Sequence, residues 1–156
     1  VRDIFETNTF GAMAMTQAVI PQLRERRSGV VVNVTSSATL APMPLVAVYT
    51  ASKTAIEGFT GSLAYELEAF GVRVKLVEPG YGPSTRFSRN SGSQLEREAS
   101  QSYAAFTQSV LAAYMQPAAV TTETDVAEAV WRAANDTTRQ LQFPAGADAL
   151  ALVGAQ

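Results

Sequence analysis

The segment YTASK places a tyrosine and a lysine four positions apart, at Tyr49 and Lys53. Residues four apart lie on one face of a helix, so these side chains would be neighbours. A free phenol titrates at about 10, and a nearby ammonium group stabilises the phenolate. Such a tyrosine could give or take a proton at a substrate oxygen. Taken alone, an exposed pair without a function is the better interpretation, because this spacing arises easily by chance.

Two further polar residues lie where chemistry is expected. Ser36 follows a β-branched run, and ligands of parallel sheets collect at the carboxyl ends of strands. Its hydroxyl could donate to a developing oxyanion, although serine in TSS also suits a turn or a helix cap. Asn8 is the strongly polar position in an apolar helical stripe, and its amide could instead be satisfied by buried backbone groups.

The composition limits which other catalysts this sequence can contain. Its 156 residues include no cysteine and no histidine, and the only lysines are Lys53 and Lys75. Disulfides, thiolates, serine–histidine nucleophiles and ordinary zinc sites are therefore excluded. An acid–base catalyst in this sequence must be a carboxylate, a lysine or a tyrosine.

The charge and hydropathy patterns exclude several classes of partner. The formal charge of −2 is scattered along the chain, unlike the basic surface of a nucleic-acid binder. No apolar run is long enough for a membrane span, and no signal-peptide pattern opens the sequence. We therefore expect a cytoplasmic protein that binds neither nucleic acid nor a membrane, and its length fits a single domain.

Helix and strand patterns alternate in the first half of the chain. A first helix is predicted to about Arg27, with a bend or break near Pro21. The run VVVNVTSS is apolar on both faces except at Asn33, which is typical of a buried parallel strand. A second helix is predicted from about Val48 to Phe70, with Gly71 as its C-terminal cap. Its apolar stripe is Ile56, Phe59, Leu63, Leu67 and Phe70.

The second half continues this alternation. VRVKLVEPG is predicted to be a second strand that a Pro-Gly pair ends, followed by a loop over 81–94 and a helix over 95–116. Thr122 and Asp125 form a capping signature before a further helix. LQFPAG is predicted to be a short third strand, and ADALALVG a final helical turn or two.

This order predicts an α/β fold with a parallel sheet of about three strands and flanking helices. The first strand would have an apolar edge, and bare apolar edges promote aggregation. We therefore expect the chain to be one part of a larger fold, with strands before residue 1. The alternative is that a dimer partner or a helix covers that edge.

The segments TNTFG, GVVVNVTSS, YTASKTAIEGFTGSLAYEL and VRVKLVEPG occur in the order and spacing found in short-chain dehydrogenases/reductases. The sequence resembles that family strongly over residues 1 to about 90. TETDVAEAVWRAA and LQFPAGADA are similar to its closing helix and strand. The resemblance implies that residues 1–156 are one partial domain, the carboxyl-terminal portion of a Rossmann-like fold.

The resemblance also implies a catalytic set of Asn8, Ser36, Tyr49 and Lys53. Tyr49 would protonate a carbonyl oxygen on reduction or act as the base in alcohol oxidation. Lys53 would lower the pKa of Tyr49 and hold the nicotinamide ribose, and Ser36 would polarise the carbonyl. Asn8 would position a water that passes protons from Lys53 towards solvent. NAD or NADP would supply the hydride, which no side chain can deliver.

The segment PGYGPST resembles the family's loop over the nicotinamide. Gly82 stands where an aliphatic residue is usual, and the expected hydroxyl could be that of Ser84 or Thr85. The cofactor-binding residues implied by the resemblance are Tyr49, Lys53, Pro79, Gly80, Gly82, Ser84 and Thr85. The family's glycine-rich pyrophosphate turn has no counterpart in these 156 residues, so they do not separate NAD from NADP.

Three functions remain open at this point. The first is an oxidoreductase acting on a small-molecule alcohol or ketone when full length, with the present chain alone inactive. The second is a non-catalytic truncated dimerisation or interaction module. The third is epimerase or dehydratase chemistry with a similar tyrosine–lysine pair, which NVTSS and YTASK fit less well.

The resemblance finally implies a partner and a substrate lid. A homodimer or homotetramer would form through the helices at 1–27 and 48–70. Residues 82–117 would form the lid. Its aromatic residues favour an apolar or ring-bearing substrate, although aromatic residues at helical spacing are more often packing. The aromatic residues of the predicted lid are Phe87, Tyr103, Phe106 and Tyr114.

Overall fold

A three-stranded parallel sheet forms the centre of the chain. The computed structural model describes residues 1–85, 101–114 and 116–155. Strands β1 (Gly29–Val34), β2 (Val72–Pro79) and β3 (Gln142–Ala145) lie in the order β1-β2-β3, and both pairs are parallel. Helices connect the strands, as parallel pairing requires. The predicted α/β fold is confirmed.

The helices fall into three groups along the chain. Before β1 lie α1 (Arg2–Phe5), a π-helical turn (Glu6–Gly11) and α2 (Ala12–Arg26). Between β1 and β2 lie a 3₁₀ turn (Ser37–Thr39) and α3 (Ala47–Glu68). After β2 the described helical segments are a 3₁₀ turn (Gln101–Tyr103), α4 (Ala104–Tyr114), α5 (Glu123–Asn135) and, after β3, α6 (Ala147–Val153). None of the described helices is long and apolar enough to cross a membrane.

The sheet has an apolar cluster on each face. On one face, Val31 and Val74 pack with Leu63 and Leu67 of α3, and α2 adds Leu23. On the other face, β2 and β3 pack against α5 through Val77, Phe143, Ala145, Ala129 and Ala133. Because successive strand residues point to opposite faces, β2 contributes to both clusters. The apolar stripe predicted for the second helix is confirmed.

Gly71 was predicted to be the C-terminal cap of α3, but that cap is Ala69, and Gly71 lies in the short turn between the cap and β2. Its N–H donates to the Glu68 carbonyl oxygen at 3.0 Å, and its φ is +67°. A Cβ at this position would lie 2.8 Å from the Arg27 carbonyl oxygen. Glycine is therefore favoured both by the left-handed backbone and by the close approach of a second segment.

Of the predicted bend or break at Pro21, the break is wrong, because α2 continues through this residue to Arg26, and the bend stays a prediction. A proline in a helix removes one hydrogen bond, here the one that the Gln17 carbonyl would accept. Pro21 and Gln17 are both exposed, so water can satisfy that carbonyl. The irregularity of the first helical region lies earlier, in the π-helical turn Glu6–Gly11.

Strand β1 is less buried than its apolar sequence predicts. Val31 is buried, but Val34 is 43% exposed and the other strand residues are partly buried. Among the described residues, no strand pairs with the second edge of β1. The prediction of a fully buried strand is therefore confirmed for Val31 alone.

The loop between α5 and β3 is held by a buried lysine. Lys75 of β2 is 2% exposed, and its Nζ donates to Asp136 Oδ1 at 2.7 Å and to the Thr138 and Gln140 carbonyl oxygens at 2.8 and 2.6 Å. The hydrogen bond from Lys75 holds the pKa of Asp136 below its usual value. All three donors of the ammonium are used, so its charge is compensated inside the fold.

The start of α5 agrees with its predicted capping signature. The Thr122 hydroxyl accepts the Asp125 N–H at 3.2 Å, and Asp125 Oδ2 accepts the Thr122 N–H at 2.8 Å. This reciprocal arrangement satisfies two backbone donors that a helix start leaves unpaired.

Candidate active site

Ser36 and Tyr49 meet at the carboxyl end of β1. Ser36 is the N-cap of the 3₁₀ turn, and its Oγ accepts the Ala38 N–H at 3.2 Å. The Ser36 hydroxyl is also hydrogen-bonded to the Tyr49 hydroxyl. Capping and contact with Tyr49 are therefore combined in one residue, and the two interpretations of Ser36 do not exclude each other.

Tyr49 and Lys53 both lie in the first two turns of α3. The Lys53 ammonium lies against the Tyr49 ring, 5.9 Å from its centroid. The same ammonium donates to the Val34 carbonyl oxygen at 3.3 Å. Because Val34 ends β1, this bond fixes the start of α3 to the strand that leads into Ser36. The fold thus brings Ser36, Tyr49 and Lys53 together.

Burial determines the acidity of both titratable groups. It raises the pKa of Tyr49, and the hydrogen bond from Ser36 opposes this effect without overcoming it. Burial also lowers the pKa of Lys53. The predicted lowering of the Tyr49 pKa is wrong for this structure. The reason is that burial removes more stabilisation of the phenolate by water than the Ser36 hydrogen bond supplies. Tyr49 is therefore a neutral phenol, the form that can donate a proton.

Asn8 reaches α3 through Ser52. It lies in the π-helical turn, and its Nδ2 donates to Ser52 Oγ at 3.2 Å. The adjacent Thr9 hydroxyl donates to the Ser52 carbonyl oxygen at 2.9 Å, and Ser52 Oγ donates to the Tyr49 carbonyl oxygen at 2.7 Å. Asn8 therefore holds the segment between Tyr49 and Lys53, and its predicted role in holding a water stays a prediction.

The loop after β2 carries the other predicted cofactor residues. Pro79 ends β2, and the Gly80 N–H donates to the Ala145 carbonyl oxygen at 3.0 Å. Ser84 Oγ donates to Glu123 Oε1 at 3.0 Å, and Thr85 Oγ1 donates to the Gly82 carbonyl oxygen at 2.8 Å. Thus β3 and α5 hold this loop, and both candidate hydroxyls have protein partners.

The sequence of the first 96 residues decides the family. Residues 1–96 match the sequence profile of the family described as short chain dehydrogenase. The chain belongs to the short-chain dehydrogenase/reductase family.

Similar proteins agree with this assignment. An uncharacterised oxidoreductase of Schizosaccharomyces pombe is 32% identical over 150 residues, which are 94% of this chain and 61% of the relative. A short-chain dehydrogenase from Burkholderia cenocepacia, solved with NADP, gives a TM-score of 0.70 at 25% identity over 97% of this chain and 52% of that one. A family member from Burkholderia phymatum, solved with NAD, gives 0.71 at 25% identity over 96% and 54%. The resemblance and the Rossmann-like fold are confirmed.

Each alignment covers nearly all of this chain but a smaller fraction of the relative's own length. The chain spans 61% of the length of the Schizosaccharomyces pombe relative and 52% to 54% of the two solved structures. The activity of these whole proteins is therefore a proposal for the present chain.

The sequence did not indicate one residue that holds the loop after β2 in this short-chain dehydrogenase/reductase. Asp148, in the first turn of α6, accepts the Tyr81 N–H at 2.6 Å through Oδ2 and the Thr121 hydroxyl at 2.6 Å through Oδ1. A Cβ on Gly80 would collide with this carboxylate. An acidic residue at the start of a helix does not by itself predict a contact with a distant loop, because acidic residues are common at helix starts for their favourable interaction with the helix dipole.

The predicted lid of this family member is described only in part. Tyr114 of α4 donates through its hydroxyl to the Pro44 carbonyl oxygen at 2.9 Å, which connects the lid to the loop before α3. Tyr103 and Phe106 are exposed. Phe87 and the rest of 86–100, together with residue 115, lie outside the described residues. The lid over 82–117 stays a prediction.

Side chains that bind metal ions do not cluster in the described ranges. Within residues 1–85, 101–114 and 116–155, no group of three or more carboxylate, histidine or cysteine ligands is placed to hold a metal ion.

Proposed function

We propose that this chain is the carboxyl-terminal part of an NAD(P)-dependent oxidoreductase that interconverts an alcohol and a carbonyl compound. The observation that carries the proposal is the hydrogen bond between the Ser36 and Tyr49 hydroxyls at the carboxyl end of β1, with Lys53 against the Tyr49 ring. Two hydroxyls that meet there can both contact one substrate oxygen. Ligands of parallel α/β folds bind at this end of the sheet.

In carbonyl reduction, Ser36 donates a hydrogen bond to the carbonyl oxygen and orients it, and Tyr49 transfers a proton to that oxygen. A bound nicotinamide cofactor supplies the hydride to the carbonyl carbon. Burial raises the pKa of Tyr49, so the phenol keeps its proton at neutral pH and can act as the acid. In alcohol oxidation the same group would act in the reverse sense, as a phenolate that accepts the proton of the alcohol.

Lys53 fits the predicted role of holding the nicotinamide ribose. Its side chain is partly exposed, and among the described residues its ammonium donates one hydrogen bond, to Val34. An ammonium has three donors, so two remain for ribose hydroxyls. The two Burkholderia proteins were solved with NADP and with NAD, which supports the cofactor class and leaves the preference between them open.

The present chain alone is expected to show no turnover with NADH or NADPH and a panel of ketones. The glycine-rich turn that receives the pyrophosphate in this family has no counterpart among its residues. The consumption of reduced nicotinamide measures this, with a longer protein that joins a glycine-rich βαβ unit to this sequence as the comparison.

Turnover by the isolated chain would show that its cofactor site is complete, which contradicts the proposal. If the longer protein binds NADH or NADPH and reduces no ketone or aldehyde, a non-catalytic interaction module becomes the better assignment.

We further propose that the protein forms a homodimer or homotetramer through the helices at 1–27 and 48–70. The first of these exposes apolar side chains that the fold leaves uncovered: Phe10, Met15 and Val19. On α3 an exposed stripe recurs at helical spacing: Ala51, Thr54, Gly58, Ser62 and Tyr65. Apolar and small residues on adjoining surfaces are typical of helix–helix contact between subunits.

Gly58→Arg is expected to convert the oligomer to a monomer without lowering the melting temperature of the subunit. A Cβ at Gly58 has no heavy atom within 4 Å, so an arginine fits the isolated subunit and would occupy the proposed interface. Within a helix, arginine is more favourable than glycine by about 0.5–1 kcal/mol. Light scattering measures the mass, and calorimetry the melting temperature.

Ala127→Arg provides the matched control, because Ala127 is an exposed small residue in α5. It is expected to leave the oligomer intact. Dissociation by Ala127→Arg with an unchanged oligomer in Gly58→Arg would place the interface on a different surface.

A further inference from the structure

A buried carboxyl group lies directly before the proposed cofactor loop. Glu78 of β2 is 0% exposed. Its Oε1 accepts Gln142 Nε2–H at 2.8 Å, and no described donor reaches its Oε2. Burying an ionised carboxylate with an unpaired oxygen is costly, so a proton on this group is favoured.

The partner of Glu78 is a second carboxyl group. The Glu57 side chain of α3 is hydrogen-bonded to Glu78. Two ionised carboxylates can only accept hydrogen bonds, so this contact requires a proton on one of them. Burial and the nearby Glu57 charge raise the pKa of Glu78 to about 7. One shared proton is therefore retained up to neutral pH.

The same pair contacts the Ser36 turn. Glu57 Oε1 accepts the Thr35 hydroxyl at 3.1 Å and also the Thr39 hydroxyl. Thr35 directly precedes Ser36, and Thr39 ends the 3₁₀ turn that Ser36 caps. The carboxyl pair therefore connects both sides of Ser36 to the residue before Pro79 and Gly80.

We propose that Glu57 and Glu78 share one proton and act as positioning residues, which hold the Ser36 turn against the end of β2 that leads into the cofactor loop. The positioning role rests on the proposed function, because only the proposed function makes Ser36 a catalytic residue. The shared proton is independent of the proposed function, since the proton follows from the contacts between Glu57 and Glu78.

Few other charged groups face the pair. On α3, Lys53 lies one turn before Glu57 and donates to Val34. The end of β1 and the 3₁₀ turn contribute neutral hydroxyls, and β3 contributes the neutral Gln142 amide. On α6, both Asp148 oxygens accept bonds at the loop beyond Gly80. Helix α5 packs on the opposite, Val77 face of the sheet, and its Glu128 and Arg132 are exposed.

Carboxyl-carbon NMR of the present chain tests the shared proton directly. In the wild-type chain, the Cδ resonance of Glu78 is expected to shift with a midpoint near pH 7. In Glu78→Gln, the amide donates permanently to Glu57, and the transition near neutral pH is lost. Titration of Glu78 at the ordinary glutamate pKa of about 4.3 would overturn the proposal.

The positioning role is tested by the resonances of the Ser36 amide and the Tyr49 ring. In wild type they are expected to follow the same midpoint as the carboxyl pair, and in Glu78→Gln to stay at their low-pH positions. Glu78→Ala removes the partner of Glu57 and should displace them at every pH. If these resonances do not respond to pH or to either substitution, Glu57 and Glu78 do not position the turn.

Unfolding equilibria give a second readout if Glu78→Ala does not fold. The Glu78 pKa rises from 4.5 in the unfolded chain to about 7 in the folded one, so the stability it contributes is present at low pH and lost as pH rises across that window. The wild-type folding constant should fall by up to roughly 300-fold more than that of Glu78→Gln over this range. Equal pH dependence of the two proteins would refute a shared proton.

None of these measurements uses a cofactor or a substrate. A protein without turnover that retains the coupled titration would refute the proposed function alone. Normal turnover in a longer protein, without the coupled titration, would refute only the carboxyl pair.

Discussion

Replacing Tyr49 with phenylalanine is expected to lower the turnover of the intact enzyme by about 10²- to 10⁴-fold, the usual contribution of a general acid or base. The substitution removes the hydroxyl that Ser36 contacts, which is the proton donor of the proposed reaction. The ring remains, so Lys53 keeps its packing surface and cofactor affinity should change little. The rate constant kcat for ketone reduction and the Kd of the reduced cofactor measure the two effects separately.

Tyr65→Phe is the matched control for Tyr49→Phe. Tyr65 lies on the same helix and is 82% exposed, so loss of its hydroxyl should leave kcat unchanged. Near-normal turnover in Tyr49→Phe would remove this tyrosine from the mechanism and favour a different proton donor.

The pH dependence of the wild-type enzyme provides a further check on Tyr49. Because its pKa is raised from 10.0, less than about one phenol in a thousand is ionised at pH 7. Reduction, which uses the neutral phenol, should therefore lose less than about a tenth of its rate to Tyr49 ionisation between pH 6 and 9. Oxidation, which uses the phenolate, should accelerate as pH rises over the same range.

Lys75→Met is expected to destabilise the fold by about 1–3 kcal/mol, the usual cost of leaving hydrogen-bond acceptors without their donor. Methionine retains an apolar chain but leaves the Asp136 carboxylate and two carbonyl oxygens without their donor. Unmet acceptors of this kind are costly because they have left water without a replacement. Urea unfolding followed by circular dichroism gives the free energy of unfolding.

Arg139→Met tests the same change of charge at the surface. Arg139 is paired with Glu68, and their side chains are 89% and 52% exposed. Exposed ion pairs contribute at most about 1 kcal/mol, so this variant should remain near wild type. If Lys75→Met were no more destabilising than Arg139→Met, the buried ammonium would not hold the α5–β3 loop.

Local patterns were sufficient to predict most of the elements. The apolar stripe from Ile56 to Phe70 predicted α3, because a helix that covers a sheet repeats its apolar residues at helical spacing. The capping signature at Thr122 and Asp125 predicted the start of α5, because all of its hydrogen bonds lie within four residues. The grouping of Ser36, Tyr49 and Lys53 also followed, since a strand end and a helix start are adjacent in a parallel fold.

The features that depend on distant neighbours were not predictable in the same way. The acidity of Tyr49 depends on how much water the surrounding elements exclude, which the YTASK spacing does not contain. Glu57 and Glu78 lie on different elements, and their contact exists only once α3 packs on β2. The break predicted at Pro21 does not occur, because a proline's effect depends on whether water can reach the carbonyl it leaves free.

The π-helical turn Glu6–Gly11 has a consequence for the length of the first helical region. In an α-helix, neighbouring residues point about 100° apart, yet Asn8 and Thr9 both bond to Ser52. A π-helical turn is a helix with one surplus residue, and the surplus lets two consecutive side chains reach one partner. Deleting a single amino acid here would rewind the turn and withdraw one of them. We therefore expect this turn to tolerate a change of residue type more readily than a change in the number of its residues.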